Sequence, residues 1–129
     1  MPALIKKVSD LKYKKNKILK IWGSGKVKRE LIYVDDLADA CIHFMNIKTK
    51  HSLINIGSGV DYSIKKYAEM FLKVLVPRKK IKIEYDLSKP NGTPRKVLDV
   101  SLARQYGWKA KINFKKEILE TYKSFITKK

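Results

Sequence analysis

Trp22, Gly23, Ser24, Gly25, Lys26, Val27, Lys28 and Arg29 form one short run that could bind an anion. The two glycines permit a tight turn, because they lack the Cβ that restricts other residues. The turn delivers Lys28 and Arg29 beside the apolar stretch Leu31, Ile32, Tyr33 and Val34. A guanidinium at such a place can hold a phosphate through two parallel hydrogen bonds. Gly23 to Lys26 is not a Walker loop, since that loop needs glycine five residues before Gly25 and Ser or Thr after the lysine, where this chain has Lys20 and Val27. Gly57-Ser58-Gly59 is too short for a dinucleotide fingerprint, whose third glycine would fall at Tyr62, and it reads as a strand-ending turn.

Other reactive pairs are ones that composition alone would produce. Tyr-x-x-x-Lys, in which a lysine can lower a phenol's pKa for proton transfer, occurs at Tyr13 and Lys17, Tyr62 and Lys66, and Tyr85 and Lys89. With lysine at about one position in five and seven tyrosines, about one such pair is expected by chance. Cys41 and His43 are two apart on a predicted helix, so they point to different sides and do not pair as nucleophile and base. Cys41 is expected on the apolar face as a buried structural thiol, with His43 and His51 as surface or boundary residues outside any metal-ligand spacing. Taken alone, the residues offer no complete catalytic machine.

The elements that must position this run are legible from periodicity. Pro2, Leu4, Ile5, Val8 and Leu11 predict a helix with proline in its first turn, and Ile18 to Trp22 a strand. A second strand is expected over Leu31 to Val34 and a helix over Leu37 to Asn46, with Asp35 and Asp36 as N-cap candidates. Ser52 to Gly57 reads as a short strand. Ser63 then caps a helix carrying Ile64, Tyr67, Ala68, Phe71, Val74 and Leu75 on one face, ended by Pro77. Ile81, Ile83 and Tyr85 alternate with Lys82 and Glu84 as a half-buried strand does. Asp86 to Val97 is a polar loop containing Pro90, Gly92 and Pro94 and presenting Lys89, Arg95 and Lys96. Asp99 or Ser101 can cap a short helix closed by Gly107, with Trp108 packing nearby, and Asn113 caps a final helix through Phe114, Ile118, Leu119, Tyr122, Phe125 and Ile126. The order helix, strand, strand, helix, strand, helix, strand, helix, helix specifies an α/β chain without internal repeat.

At 129 residues and 44% hydrophobic composition, one compact unit or one lobe of a larger one is expected. The formal charge of +18 raises nucleic acid or an anionic membrane as a partner. All but four of the 30 basic residues are Lys, however, spread over nearly every segment and not interleaved with aromatics as a stacking platform requires. A lysine-rich surface is the simpler account, and nucleic-acid binding is the rival class. No stretch approaches the roughly 18 apolar residues that span a bilayer, so no membrane partner is expected. One cysteine excludes an intrachain disulfide, and a cytoplasmic setting is expected.

Three spaced runs carry a family resemblance. They are Trp-Gly-Ser-Gly-x-x-x-Arg-Glu at 22 to 30 with Val-Asp-Asp-Leu-Ala-Asp-Ala at 34 to 40, Ile-Asn-Ile-Gly-Ser-Gly at 54 to 59, and Ser-Lys-Pro-Asn-Gly-Thr-Pro-Arg-Lys-Val-Leu-Asp-Val at 88 to 100. The first two resemble the C-terminal half of extended short-chain dehydrogenases acting on nucleotide sugars. The third, with Gly107-Trp108 after it and Met-Pro-Ala-Leu at the start, resembles the GDP-L-fucose synthase family. The resemblance covers essentially all of this chain and only the C-terminal part of the family's chain. It implies the substrate-binding portion of an extended short-chain dehydrogenase, short strands with flanking helices, with the N-terminal Rossmann core largely absent.

The family's reaction, so implied, is 3,5-epimerisation of GDP-4-keto-6-deoxymannose followed by NADPH-dependent 4-reduction to GDP-L-fucose. Its cofactor fingerprint and its catalytic residues belong upstream of this chain, so no catalytic residue and no NADPH binding by this portion alone are expected. The implied partners are a GDP-sugar, a separately supplied N-terminal Rossmann half and, for the full-length family, a homodimer. The resemblance carries substrate contacts onto four positions. Lys7 sits where the family places a basic residue against the GDP-sugar, and Trp22 matches a substrate-lining tryptophan, a core tryptophan being the alternative. Arg29 matches the arginine after the glycine turn. Asn91 stands where the family has Asp, keeping an acceptor but losing the charge. Arg95 and Lys96 are further diphosphate candidates, with a solvated basic loop as the alternative. Related nucleotide-sugar epimerases and dehydratases share the first two runs.

Overall fold

Every third or fourth residue of Ile64–Leu75 is apolar, and the resulting helix α3 buries Tyr67, Ala68, Phe71 and Leu75. Its start is set by Ser63, whose hydroxyl accepts the Lys66 N–H at 3.1 Å, as the sequence requires of an N-cap. The computed structural model describes residues 2–13, 15, 17–111 and 113–127; Met1, the first residue of the Met-Pro-Ala-Leu run, lies outside them. The element order is α1 (Pro2–Tyr13), β1 (Ile18–Trp22), β2 (Lys28–Glu30), α2 (Val34–Met45), β3 (Asp61–Ser63), α3, β4 (Lys82–Asp86), β5 (Arg95–Lys96), α4 (Ser101–Gln105) and α5 (Phe114–Thr127). The chain is α/β, with short strands and flanking helices. It falls into two compact units.

The first unit comprises residues 1–27, 63–94 and 113–129. Here β1 and β4 pair in parallel, from Ile18 opposite Lys82 to Trp22 opposite Asp86. Strand β1 alternates, burying Leu19 and Ile21 against Val8, Leu11, Phe71, Ile118 and Tyr122 of the surrounding helices. Burial of side chains of this size contributes roughly 1.5–3 kcal/mol each to folding. Asn113 opens α5, its side chain accepting from Lys116 N at 3.1 Å while Glu117 accepts from Asn113 N at 2.8 Å. That reciprocal arrangement satisfies two N–H groups left without helical partners.

The second unit comprises residues 28–62 and 95–112. Its sheet runs in the order β3, β2, β5, with β2 and β5 parallel and Lys28 and Arg29 opposite Arg95 and Lys96. A smaller core of Ala40, Ala103 and Trp108 receives Ile32, Phe44, Ile54 and Ile56.

Several expected boundaries move. The second strand lies at Lys28–Glu30 and not over Leu31 to Val34, because its partner is the polar pair Arg95 and Lys96. Ser52 to Gly57 forms no ladder; Ile54 and Ile56 enter the core from irregular chain, and the strand comes later, at Asp61–Ser63. Helix α2 starts at Val34 behind Tyr33, which makes no side-chain cap, so Asp35 and Asp36 lie inside the first turn, where carboxylates favour the helix dipole. Helix α4 has Val100 at its N-cap position; Asp99 instead accepts the Ser101 N–H at 2.9 Å. The expected loop from Asp86 to Val97 contains β5. Among the described residues no helix is long and apolar enough to cross a membrane.

Candidate functional site

In the first unit, β1 ends at Trp22 and the chain turns through Gly23 and Gly25, both with φ near 70°. The turn is tied on two sides. Its Gly23 N–H donates to the Asp86 carbonyl at 2.9 Å, and the Gly25 and Val27 carbonyls accept the first N–H groups of α3, from Lys65 and Ile64, at 3.0 Å each. Helix α3 thus satisfies its own orphan donors on the turn. From the far side, Asn91 Oδ1 accepts from Ser24 N at 2.7 Å and from Ser24 Oγ at 2.8 Å. A Cβ at Gly23 would lie 2.6 Å from that same Oδ1, so glycine is required on steric as well as conformational grounds.

Trp22 stands at the edge of this construction with 66% of its surface exposed, which removes the core-tryptophan alternative. The Lys7 ammonium lies 5.5 Å and the Lys89 ammonium 5.7 Å from its ring centroid, both within cation–π range. Lys7 Nζ also donates to the Lys20 carbonyl at 2.9 Å. The nearby carboxylate, Asp86, is engaged elsewhere: the Ser88 hydroxyl donates to it at 2.5 Å and Lys20 approaches within 3.5 Å. These contacts, Ser88 first and Lys20 after it, hold the Asp86 carboxyl below the usual carboxylate range. An exposed flat ring and two ammonium groups can stack a base or sugar and face phosphate oxygens.

Lys7, Trp22 and Asn91 therefore lie in one unit, around the same turn. Asn91 differs in one respect: both acceptor positions of its oxygen are used within the protein, so it latches the loop to the turn and keeps only its amide N–H groups for a ligand.

Arg29, Arg95 and Lys96 lie in the second unit. Arg29 sits in β2 opposite Lys96, its Nη1 donating to the Lys28 carbonyl at 2.6 Å. Arg95 forms a two-pronged pair with Asp61, from Nε at 2.6 Å and Nη2 at 3.1 Å. The Arg95 fork is thus filled by an internal carboxylate, and it holds the Asp61 carboxyl below its ordinary range. Lys96 is exposed.

One organising residue in this unit escaped the sequence reading. Glu30 accepts from Gly59 N at 2.6 Å, Ser58 Oγ at 3.2 Å and Leu98 N at 2.7 Å. The glycine turn at 57–59 therefore closes on an internal carboxylate and not on a phosphate. A Cβ at Gly57 would overlap that carboxylate. The available signal was that Glu30 is the lone acid between Asp10 and Asp35 in a strongly basic stretch.

Cys41 is exposed, correcting the expected buried thiol: Ala40 alone of α2 is fully buried, because the helix meets its core through a narrow strip. His43 is a boundary residue whose Nε2 donates to the Tyr106 carbonyl at 2.8 Å, and His51 is exposed. Among the described residues no group of three or more His, Cys, Asp or Glu could hold a metal ion.

Comparison with known proteins gives these features a setting. The NAD dependent epimerase/dehydratase family matches residues 1–57. The crystal structure of a GDP-6-OMe-4-keto-L-xylo-heptose reductase from C. jejuni superposes with a TM-score of 0.76 at 32% identity, covering 99% of this chain and 47% of that one. By sequence and fold the chain is related to the extended short-chain dehydrogenase/reductase enzymes, and its α/β architecture is that of a part of theirs. Within them it resembles the GDP-L-fucose synthases. It is 39% identical over 126 residues to the probable GDP-L-fucose synthase 1 of Oryza sativa subsp. japonica, covering 98% of this chain and 38% of the relative. It is 36% identical over 130 residues to the GDP-L-colitose synthase of Yersinia pseudotuberculosis, covering 100% of this chain and 42% of that protein. The chain thus spans about two fifths of the length of these curated relatives.

Proposed function

We propose that this chain is the GDP-sugar-binding portion of an epimerase/reductase of the GDP-L-fucose synthase type, whose complete form converts GDP-4-keto-6-deoxymannose to GDP-L-fucose with NADPH, in the cytoplasm. The observation that carries the reading is the exposed Trp22 ring with the Lys7 and Lys89 ammonium groups beside it, on a turn latched by Asn91. The three relatives named above differ in their sugar and share the GDP group, which supports assigning Lys7 and Trp22 to the nucleotide diphosphate. In the first unit Lys7 meets phosphate charge and Trp22 packs on a flat group; in the second, Arg29 is by itself a phosphate candidate on the family resemblance. Lys96 is a further candidate for phosphate. Arg95, filled by Asp61, acts through the strand it holds.

NADPH supplies hydride in this family. The glycine turn in this chain does not fit its diphosphate, because Glu30 occupies the turn's donors. No step of the reaction is assigned to the residues described.

The test is GDP binding by the chain, followed by melting temperature and by the fluorescence of exposed Trp22. Ligand that binds only the folded state raises its stability, by about 2.7 kcal/mol at a hundredfold excess over Kd. Arg29→Ala is expected to weaken this protection more than Lys73→Ala, a charge change on the exposed face of α3; equal effects would sink the assignment of Arg29. RNA binding with a steep salt slope and no GDP protection would favour a nucleic-acid module instead.

A second reading concerns a partner. Val34, Leu37, Cys41, Ile42 and Met45 of α2 are exposed, an apolar stripe that a complete enzyme would cover. It supports pairing with a chain carrying the dinucleotide-binding half. Mixing the two with NADPH and substrate should restore oxidation above either alone, and no gain would count against it.

A further inference from the structure

Lys89 carries a role that the family resemblance did not assign to it. It belongs to the loop after β4, which returns to Trp22 because the last parallel pair sets Asp86 opposite Trp22. The loop is anchored on both sides of the lysine. Before it, Lys89 N donates to the Asp86 carbonyl at 3.2 Å and Ser88 bonds the Asp86 carboxylate. After it, Pro90 stiffens the backbone and Asn91 is held by two hydrogen bonds from Ser24. The position of the Lys89 ammonium over the indole is thus built by its neighbours.

Two ammonium groups lie beside one indole, and neither pairs with a carboxylate among the described residues. Asp86, the acid closest in the chain, is already taken by Ser88 and Lys20. A cation over an exposed ring gains little, about 0.5–1 kcal/mol, so the ring by itself is a weak partner for either ammonium. A diphosphate is an anion large enough to offer oxygens to both. Resting on the GDP-sugar reading above, we propose that Lys89 is a second diphosphate contact, working with Lys7 across Trp22, and that Asn91 is the positioning residue that keeps it there. The ligand chemistry is a diphosphate joined to a flat nucleoside.

The experiment is titration of the full chain with GDP, guanosine and inorganic pyrophosphate, read by Trp fluorescence and calorimetry. Lys89→Gln is expected to weaken GDP about tenfold, the loss of one charge-assisted bond, with guanosine and the melting temperature unchanged. Lys89→Arg should retain most of the affinity, and Lys73→Gln all of it. Asn91→Ala should weaken GDP in the same direction, and adding Lys89→Gln to it should cost little more, since both act through one ammonium. Undiminished GDP binding by Lys89→Gln, with the wild-type chain binding GDP, overturns this proposal alone. Wild-type chain that binds no GDP overturns the underlying reading with it. Pyrophosphate that binds as tightly as GDP removes the nucleoside from the proposed ligand and overturns its Trp22 half.

Discussion

A single carboxylate, Glu30, joins three stretches of the second unit: the strand that carries it, the turn at Ser58 and Gly59, and the segment at Leu98. Ser58 is 5% exposed, so its hydroxyl has little access to water as a substitute partner. Glu30→Ala leaves these donors without an acceptor, and hydrogen bonds to a charged group contribute about 1.5–3 kcal/mol each at most sites. A loss of about 3 kcal/mol in urea unfolding is expected for Glu30→Ala, with a smaller loss for Glu30→Gln, which keeps one oxygen. Equal stability of Glu30→Ala and wild type would remove Glu30 as the organiser of that turn. The glycine turn with its basic pair pointed to Arg29, and only the family resemblance offered Lys7, Trp22 and Asn91 as ligand candidates; residue type could not do so. It could not show what fills Arg95 or the oxygen of Asn91, because Asp61 and Ser24 lie 34 and 67 positions away in the chain.

At the scale of elements, β3 and β5 are short, and the Asp61–Arg95 pair links one to the other. Because Arg95 lowers the Asp61 pKa in the folded chain, the pair's stabilisation is present above the unfolded carboxylate pKa. It is lost as pH falls through the lower, folded value. Asp86, bonded by Ser88 and Lys20, and Asp99, bonded by Ser101, are lowered too and add loss of the same sign. The melting temperature should therefore hold near neutral pH and fall on acidification through and below the carboxylate range. Asp61→Asn should flatten part of that fall and leave the part due to Asp86 and Asp99; an acid profile identical to wild type would show that the pair does not stabilise this sheet. Helices α3 and α5 were legible because apolar period and cap agree in each. Strands β2, β3 and β5 were not, since a strand of two or three residues is defined by its partner across the sheet and carries too few side chains to show a period.

For the molecule as a whole, the balance between buried and exposed apolar surface bears on the partner proposed above. The first unit buries the faces of α3 and α5 that periodicity predicts, whereas α2 leaves Val34, Leu37, Ile42 and Met45 at 66%, 41%, 63% and 84% exposure. Val34, Leu37, Cys41 and Met45 follow one another at spacings of three and four, so they form a stripe on one side of the helix. A stripe of that kind is what a core-facing helix presents, and the curated relatives carry well over half of their length outside the matched region. Cys41 is a reporter placed within the stripe. Its thiol should react with a maleimide in the folded chain at a rate close to that in urea. Adding a chain that carries the dinucleotide-binding half of a GDP-L-fucose synthase should slow this labelling, and Met45→Lys, which charges the stripe at its most exposed position, should restore it. Labelling that the second chain leaves unchanged, while NADPH oxidation is restored, would mean that the partner docks elsewhere and that α2 faces solvent in the assembled enzyme.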